Sequence, residues 1–167
     1  MFGGVVVSYK LEDIDINRNK TAENVRDFLD GQFQTYLNRA GLHRTDLSST
    51  QLDPTGVTSH GGNSAERKMM KIFDYEAKCM AIYAAIDNCQ ENPNLRIFNR
   101  SILYDSYILL LENWQIEERL GLSSSRLREK KRAALCEFAD RLPVWAFRKK
   151  TKLPDLHAYS NQEREVK

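Results

Sequence analysis

The sequence predicts an all-α fold, a helical N-terminal region followed by a helix-turn-helix. Three observations carry this. Apolar residues recur at helical spacing through four stretches of the chain. Gly41, Pro93 and Gly121 fall where those stretches end. The β-prone run Val5-Val6-Val7 has no evident partner strand, and residues 1–20 are read as an extended arm.

The first helical stretch opens at Thr21, a suitable N-cap, with Glu23 in the first turn where the helix dipole favours an acid. Val25, Phe28, Leu29, Phe33, Tyr36 and Leu37 form its apolar side, and Gly31 marks a bend. Residues 43–62, rich in Ser, Thr, Asp and Gly and including Pro54, read as a mobile linker. Asn63 caps a long helix, with Glu66 completing a capping-box-like pair. Met69, Ile72, Phe73, Cys79, Met80, Tyr83 and Ile86 trace its apolar face. A helix this long suits either a dimer seam or the central core of a monomer.

Beyond Pro93, Leu95, Ile97, Phe98, Ile102, Leu103, Tyr107, Ile108 and Leu110 predict a further helix, with Glu112-Asn113 as the next corner. Trp114 and Ile116 begin a short helix that Gly121 stops, because a residue at positive φ is cheapest as Gly. Leu122 turns inward and Ser123 caps a second helix. On that helix Leu127, Ala134, Leu135 and Phe138 share one side, and Pro143 ends it or its extension. Trp145, Phe147 and Arg148-Lys149-Lys150 read as an aromatic and basic tail, and residues 153–167 as frayed or partner-bound. The chain thus divides into an arm, helix and loop (1–62), a central helix and connector (63–94), a helix-turn-helix domain (95–142) and a tail (143–167).

Within the helix-turn-helix, Ser124, Ser125, Arg126, Arg128, Glu129, Lys131 and Arg132 take the outward positions. An apolar inner face, a Gly-containing corner and a basic outer helix are what a DNA major groove accepts. An ordinary helical hairpin with a solvated charged side is the alternative. Net charge is only +2 over 167 residues, but it is unevenly placed. Residues 96–152 hold 13 Lys or Arg against 7 Asp or Glu, whereas 1–95 hold 10 against 13. Positive charge is therefore concentrated on the segment that would meet phosphate.

Other chemistry finds little support. No phosphate-cradling Gly loop, nucleophile elbow or metal-binding His pair is present, so no enzyme activity, metal or cofactor is expected. Gly61-Gly62-Asn63 reads as a hinge plus cap. Cys79, Cys89 and Cys136 are expected to be free thiols in a reducing bacterial cytoplasm. No run is long and apolar enough to span a bilayer, so no membrane association is expected.

The order of features resembles the ArpU family of phage transcriptional regulators over roughly residues 15–140. The matching pieces are Lys20-Thr21 with Phe28-Leu29 and Tyr36, and Asn63-Ser64-Ala65-Glu66 after the polar loop. Arg100-Ser101-Ile102-Leu103 with Tyr107-Ile108 follows, then Leu120-Gly121-Leu122-Ser123-Ser124-Ser125, then Lys131 through Ala134-Leu135-Cys136-Glu137-Phe138-Ala139. The C-terminal half resembles region four of bacterial sigma factors, which reads promoter DNA with the second helix of such a motif. The resemblance implies activation of phage late genes, for packaging or lysis, or control of a host autolysin. Lys130 departs from the sigma pattern, where an apolar residue is usual; a rotated helix or a snorkelling stem would accommodate it.

The expected function is sequence-specific binding of double-stranded DNA, with RNA polymerase and a second copy of the chain as further candidate partners. Arg126, Arg128 and Arg132 are expected on bases or phosphates, because guanidinium matches guanine and phosphate in a bidentate way. Ser124 and Ser125 would touch backbone or base edges. Glu129 would accept from a cytosine amine or pair with a neighbouring Arg, and Lys131 would neutralise phosphate. The alternative is a protein-interaction module that binds RNA polymerase or a phage protein and barely touches DNA. The Asn63–Asn88 helix and the aromatic tail would then be its working surfaces.

Overall fold

Asn17 begins the regular structure by accepting a hydrogen bond from the Lys20 backbone N–H at 3.0 Å. The computed structural model describes residues 15–49 and 63–160. Helix α1 is Arg18–Asp30. Thr21 is therefore not the cap but a buried residue of the first turn, because Asn17 offers an equally good cap one turn earlier. Gly31 separates α1 from α2, Gln32–Ala40, and a Cβ there would lie 3.0 Å from the Asp27 carbonyl oxygen. Gly41, at φ 72°, stops α2 in the left-handed conformation that Gly adopts most cheaply.

The start of the expected linker is instead fixed. Residues Arg44–Ser48 form a 3-10 turn that buries Leu47. Arg44 donates to the Leu29 carbonyl and to Gln34 Oε1, and lies 4.6 Å over the Phe33 ring. Val5–Val7, residues 50–62 with Gly61-Gly62, and residues 161–167 lie outside the described residues.

Helix α3 is Ser64–Asp87, and the Asn63 side chain caps it by accepting from the Glu66 N–H at 3.0 Å. Its second half buries Cys79, Ala81, Ile82, Ala85 and Ile86. Its first half leaves Met69, Met70 and Ile72 in solvent, so the apolar face read from the sequence is only partly covered. Burial pushes the thiols of Cys79 and Cys89 up to about 12, while Cys136 is half-buried; all three are free.

The helix expected to run from Leu95 begins later. Residues 91–98 form a short antiparallel hairpin, β1 (Glu91–Asn92) and β2 (Ile97–Phe98), with Glu91 opposite Phe98. Pro93 starts the 3-10 turn between them and Arg96, at φ 55°, closes it, which excludes helix until Asn99. Helix α4 is then Asn99–Tyr107. Leu109–Leu111 are non-helical, with Leu110 at φ 54°.

Helix α5 is Asn113–Leu120, and helix α6 is Ser124–Arg148. Pro143 lies inside α6 and does not end it. The proline only deprives the Ala139 carbonyl of a helical donor, while Phe138, Ala139, Leu142 and Ala146 are buried on either side and keep the helix packed. Trp145 and Phe147 thus belong to α6 rather than to a separate tail; Phe147 is 84% exposed.

Residues 153–160, expected to be frayed or partner-bound, form a strap across α1. The Asn17 N–H donates to the Ala158 carbonyl at 2.8 Å, and the Ala158 N–H donates to Thr21 Oγ1 at 3.0 Å. Leu156 is buried beneath it.

One buried cluster takes residues from all four stretches set out above, among them Leu29, Leu37, Ile82, Leu103, Phe138 and Leu156. A second, smaller cluster of Phe98, Ile102, Ile116, Leu122 and Leu127 lies under the α5–α6 corner. Among the described residues the fold is all-α apart from the two-stranded hairpin and a single antiparallel bridge between Ile16 and Tyr159. Among the described residues no helix is long and apolar enough to cross a membrane.

Candidate nucleic-acid interface

The corner between α5 and α6 forms as its residues dictate. Gly121, at φ 64°, ends α5, and nothing lies within 4 Å of where a Cβ would sit, so its role is conformational rather than steric. Leu122 is buried against Ile116 and Leu127. Ser123 Oγ accepts from the Arg126 N–H at 3.3 Å and caps α6.

Helix α6 has two environments. From Ala134 onward it is embedded in the main cluster. Ahead of that, Ser124, Ser125, Arg126, Arg128, Glu129 and Arg132 are exposed, and Leu127 alone of that first part is fully buried. Six of the seven expected site residues thus share an open surface. Arg126 and Glu129 approach to 3.6 Å with side chains about 70% exposed, so their pairing contributes little and is readily exchanged.

Lys131 corrects the expectation. It is half-buried, donating from Nζ to Asn113 Oδ1 at 3.2 Å and lying 5.5 Å from the Tyr107 ring centre. Burial lowers its pKa, and the nearby Arg26 lowers it further. The reason is helical geometry: residue 131 stands four from both Leu127 and Leu135, on the row that faces inward. Its ammonium tethers the start of α5 instead of standing in solvent.

Two clefts flank the exposed part of α6. One, of about 530 Å³, is bounded by Arg26 of α1, Asn113 and Glu117 of α5, and Ser124, Arg128 and Lys131 of α6. The other, of about 250 Å³, is bounded by Arg96, Leu122, Arg126 and Lys130. Lys130 snorkels: its stem passes the Phe98 ring, 6.0 Å away, and Nζ donates to the Arg96 carbonyl at 2.5 Å. Arg26, Arg96 and Lys130 were not among the expected site residues. The turn-forming pair Pro93-Asn94 was the local signal for Arg96. Arg26 reaches the site only through the packing of α1 on α6, which no local pattern reveals.

Elsewhere polar groups hold elements together. Glu137 accepts from the Gln90 N–H, from Asn99 Nδ2 at 2.8 Å and from Arg141 Nε at 2.6 Å, fastening the hairpin's entry to α6. Asp105 is buried, which raises its pKa despite Arg119 at 3.4 Å. Among the described residues no group of three or more His, Cys, Asp or Glu is placed to hold a metal ion.

Fold and site together define a helical protein that presents a cationic, partly unsupported helix end beside a Gly-containing corner. Among known proteins, the chain is similar to the "Putative autolysin regulatory protein ArpU" of Enterococcus hirae, 29% identical over 132 residues. That alignment covers 78% of this chain and 90% of the relative. No family model matches the chain, and no solved structure matches it.

Proposed function

We propose that the protein is a sequence-specific DNA-binding transcriptional regulator, with α5 and α6 acting as a helix-turn-helix. The observation that carries this is the first part of α6: Ser124, Ser125, Arg126, Arg128, Glu129 and Arg132 are exposed on a helix whose other half is fixed in the core. A helix held at one end and cationic at the other suits the major groove. Similarity to a relative named as a regulatory protein supports the regulatory part. The finer proposal is that α5–α6 works like region four of a sigma factor and activates phage late genes, for packaging or lysis, with RNA polymerase as a partner. Catalysis forms no part of it.

The test is binding to a DNA fragment from upstream of its own gene. Arg128→Ala is expected to weaken specific binding by about 1–3 kcal/mol if Arg128 reads a base. Affinity should also fall steeply with salt, and the protein should leave heparin only at elevated salt. Salt-independent retention and an unchanged Arg128→Ala variant would reject the proposal.

Met69, Met70 and Ile72 on α3, with Phe147 on α6, favour a second reading. Exposed apolar residues on two helices suit a protein-interaction module or a dimer seam. A chain with that role alone would ignore heparin and change its mass in light scattering when Met70 becomes Glu.

A further inference from the structure

We propose that the 91–98 hairpin is a second DNA-contacting element, a short wing whose Arg96 joins Arg126 and Lys130 in holding one phosphate of the duplex backbone. This rests on the reading of α6 as the helix that enters DNA.

The hairpin tip is fixed beside that helix from three directions. Lys130 Nζ donates to the Arg96 carbonyl, Arg96 Nη2 reaches the Gly121 carbonyl at 3.5 Å, and the Arg96 guanidinium lies 5.9 Å from the Phe98 ring centre. Phe98 in turn is part of the small cluster under the corner. Tip, corner and helix therefore move as one piece, and a ligand on α6 meets Arg96 at a set position.

The electrostatics of the cleft are unbalanced. Three cationic side chains border it, and Leu122 supplies an apolar wall. Among the described residues, the acid paired with any of the three is Glu129, on Arg126, at the exposed surface. The bonds of Arg96 and Lys130 named above go to carbonyl oxygens, which leave both positive charges uncompensated. Like charges gathered on one small cleft repel, and a tetrahedral oxyanion relieves that repulsion with several donors at once. The chemistry is that of a phosphate, whether a backbone phosphodiester or the free ion. The backbone is the source proposed, because the cleft opens beside the exposed part of α6. Such a contact would set the register of α6 without itself reading sequence.

The experiment measures fluorescence anisotropy of a labelled 30-base-pair mixed-sequence duplex with the full chain across a series of NaCl concentrations. Arg96→Gln is expected to weaken binding roughly three- to tenfold and reduce the salt slope by about one, the loss of one phosphate contact. Arg96→Lys should restore most of the slope, and thermal melts should show both variants folded. An Arg96→Gln variant with the parental slope, alongside an Arg128→Ala variant weakened on the upstream fragment, overturns the wing and leaves the helix reading standing. No salt-dependent binding by the parent chain overturns both. Inorganic phosphate is titrated separately, with thermal stability as the readout. If it stabilises the parent but not Arg96→Gln, while the duplex slope is the same for both, the cleft holds a free anion and the wing is rejected.

Discussion

Lys131 shows how much one helical position decides. Its neighbours Lys130 and Arg132 differ by about 100° around α6, and it alone of the three points along the inward row of Leu127 and Leu135. Replacing it with Ala should therefore reduce stability by about 1 kcal/mol, through lost contacts with Asn113 and Tyr107, and under the proposed DNA-binding role should leave the salt slope of binding unchanged. Urea unfolding and a salt series on the same variant check both halves. His157 is a second decisive residue. Its ring nitrogens lie 2.7 Å from Asp140 and 2.6 Å from Asp155, pinning the strap to α6. Burial alone would lower its pKa, but the hydrogen bonds and charges of the two aspartates outweigh it and raise the value above 6.5. The folded chain then binds this proton more tightly than the unfolded one. Its stabilisation is complete below the unfolded value and fades as pH rises through the raised folded value. Between about pH 6 and about pH 8 the urea midpoint should fall more in the parent than in His157→Gln.

Among the elements, α6 departs most from what its residues imply, since Pro143 ordinarily ends a helix. Here the turns on either side bury Phe138, Ala139, Leu142 and Ala146 on one side of the helix, and the proline ring is exposed. Pro143→Ala restores a donor for the Ala139 carbonyl and should stabilise the protein by about 2 kcal/mol, measured by urea unfolding. An unchanged or lowered midpoint would show that the interruption is part of the packing. The α5–α6 corner, by contrast, was legible: Gly121, the inward Leu122 and the Ser123 cap each stand where local chemistry places them. So were the stop at Gly41, the break at Gly31 and the Asn63 cap. The hairpin was not, because strands of two residues are too short to show alternation, and Ile97-Phe98 fits a helical pattern as well. The strap was hidden for a different reason. Residues 153–160 mix Leu, Pro and Ala with Asp, His and Ser in no regular period, and only Leu156 among them is buried, so the sequence pattern cannot reveal backbone pairing with α1. At the site, the exposed residues of α6 followed from periodicity, whereas Arg26 arrives from about a hundred residues away in sequence and depends on tertiary packing.

On the scale of the whole molecule, two apolar clusters of unequal size share one long helix. Helix α5 buries Ile116 alone completely, while α1, α2, α3 and the later part of α6 interlock through side chains such as Phe33, Ile82 and Phe138. Native-state hydrogen exchange should therefore find the amides of 113–120 opening well below the global unfolding free energy, and those around Leu135 and Phe138 opening only with it. Equal protection in both regions would mean a single cooperative unit. The continuity of α6 has a mechanical corollary. Of its twenty-five residues, those from Ala134 onward are gripped by the main cluster, and the ten ahead of it carry Ser124 about 15 Å beyond, supported by the smaller cluster alone. A pivot of about five degrees at the grip swings that tip by about 1.3 Å, enough to misalign a hydrogen bond. Under the DNA-binding role proposed above, repacking Leu142 or Ala146, far from the exposed end, would then retune which bases the tip addresses.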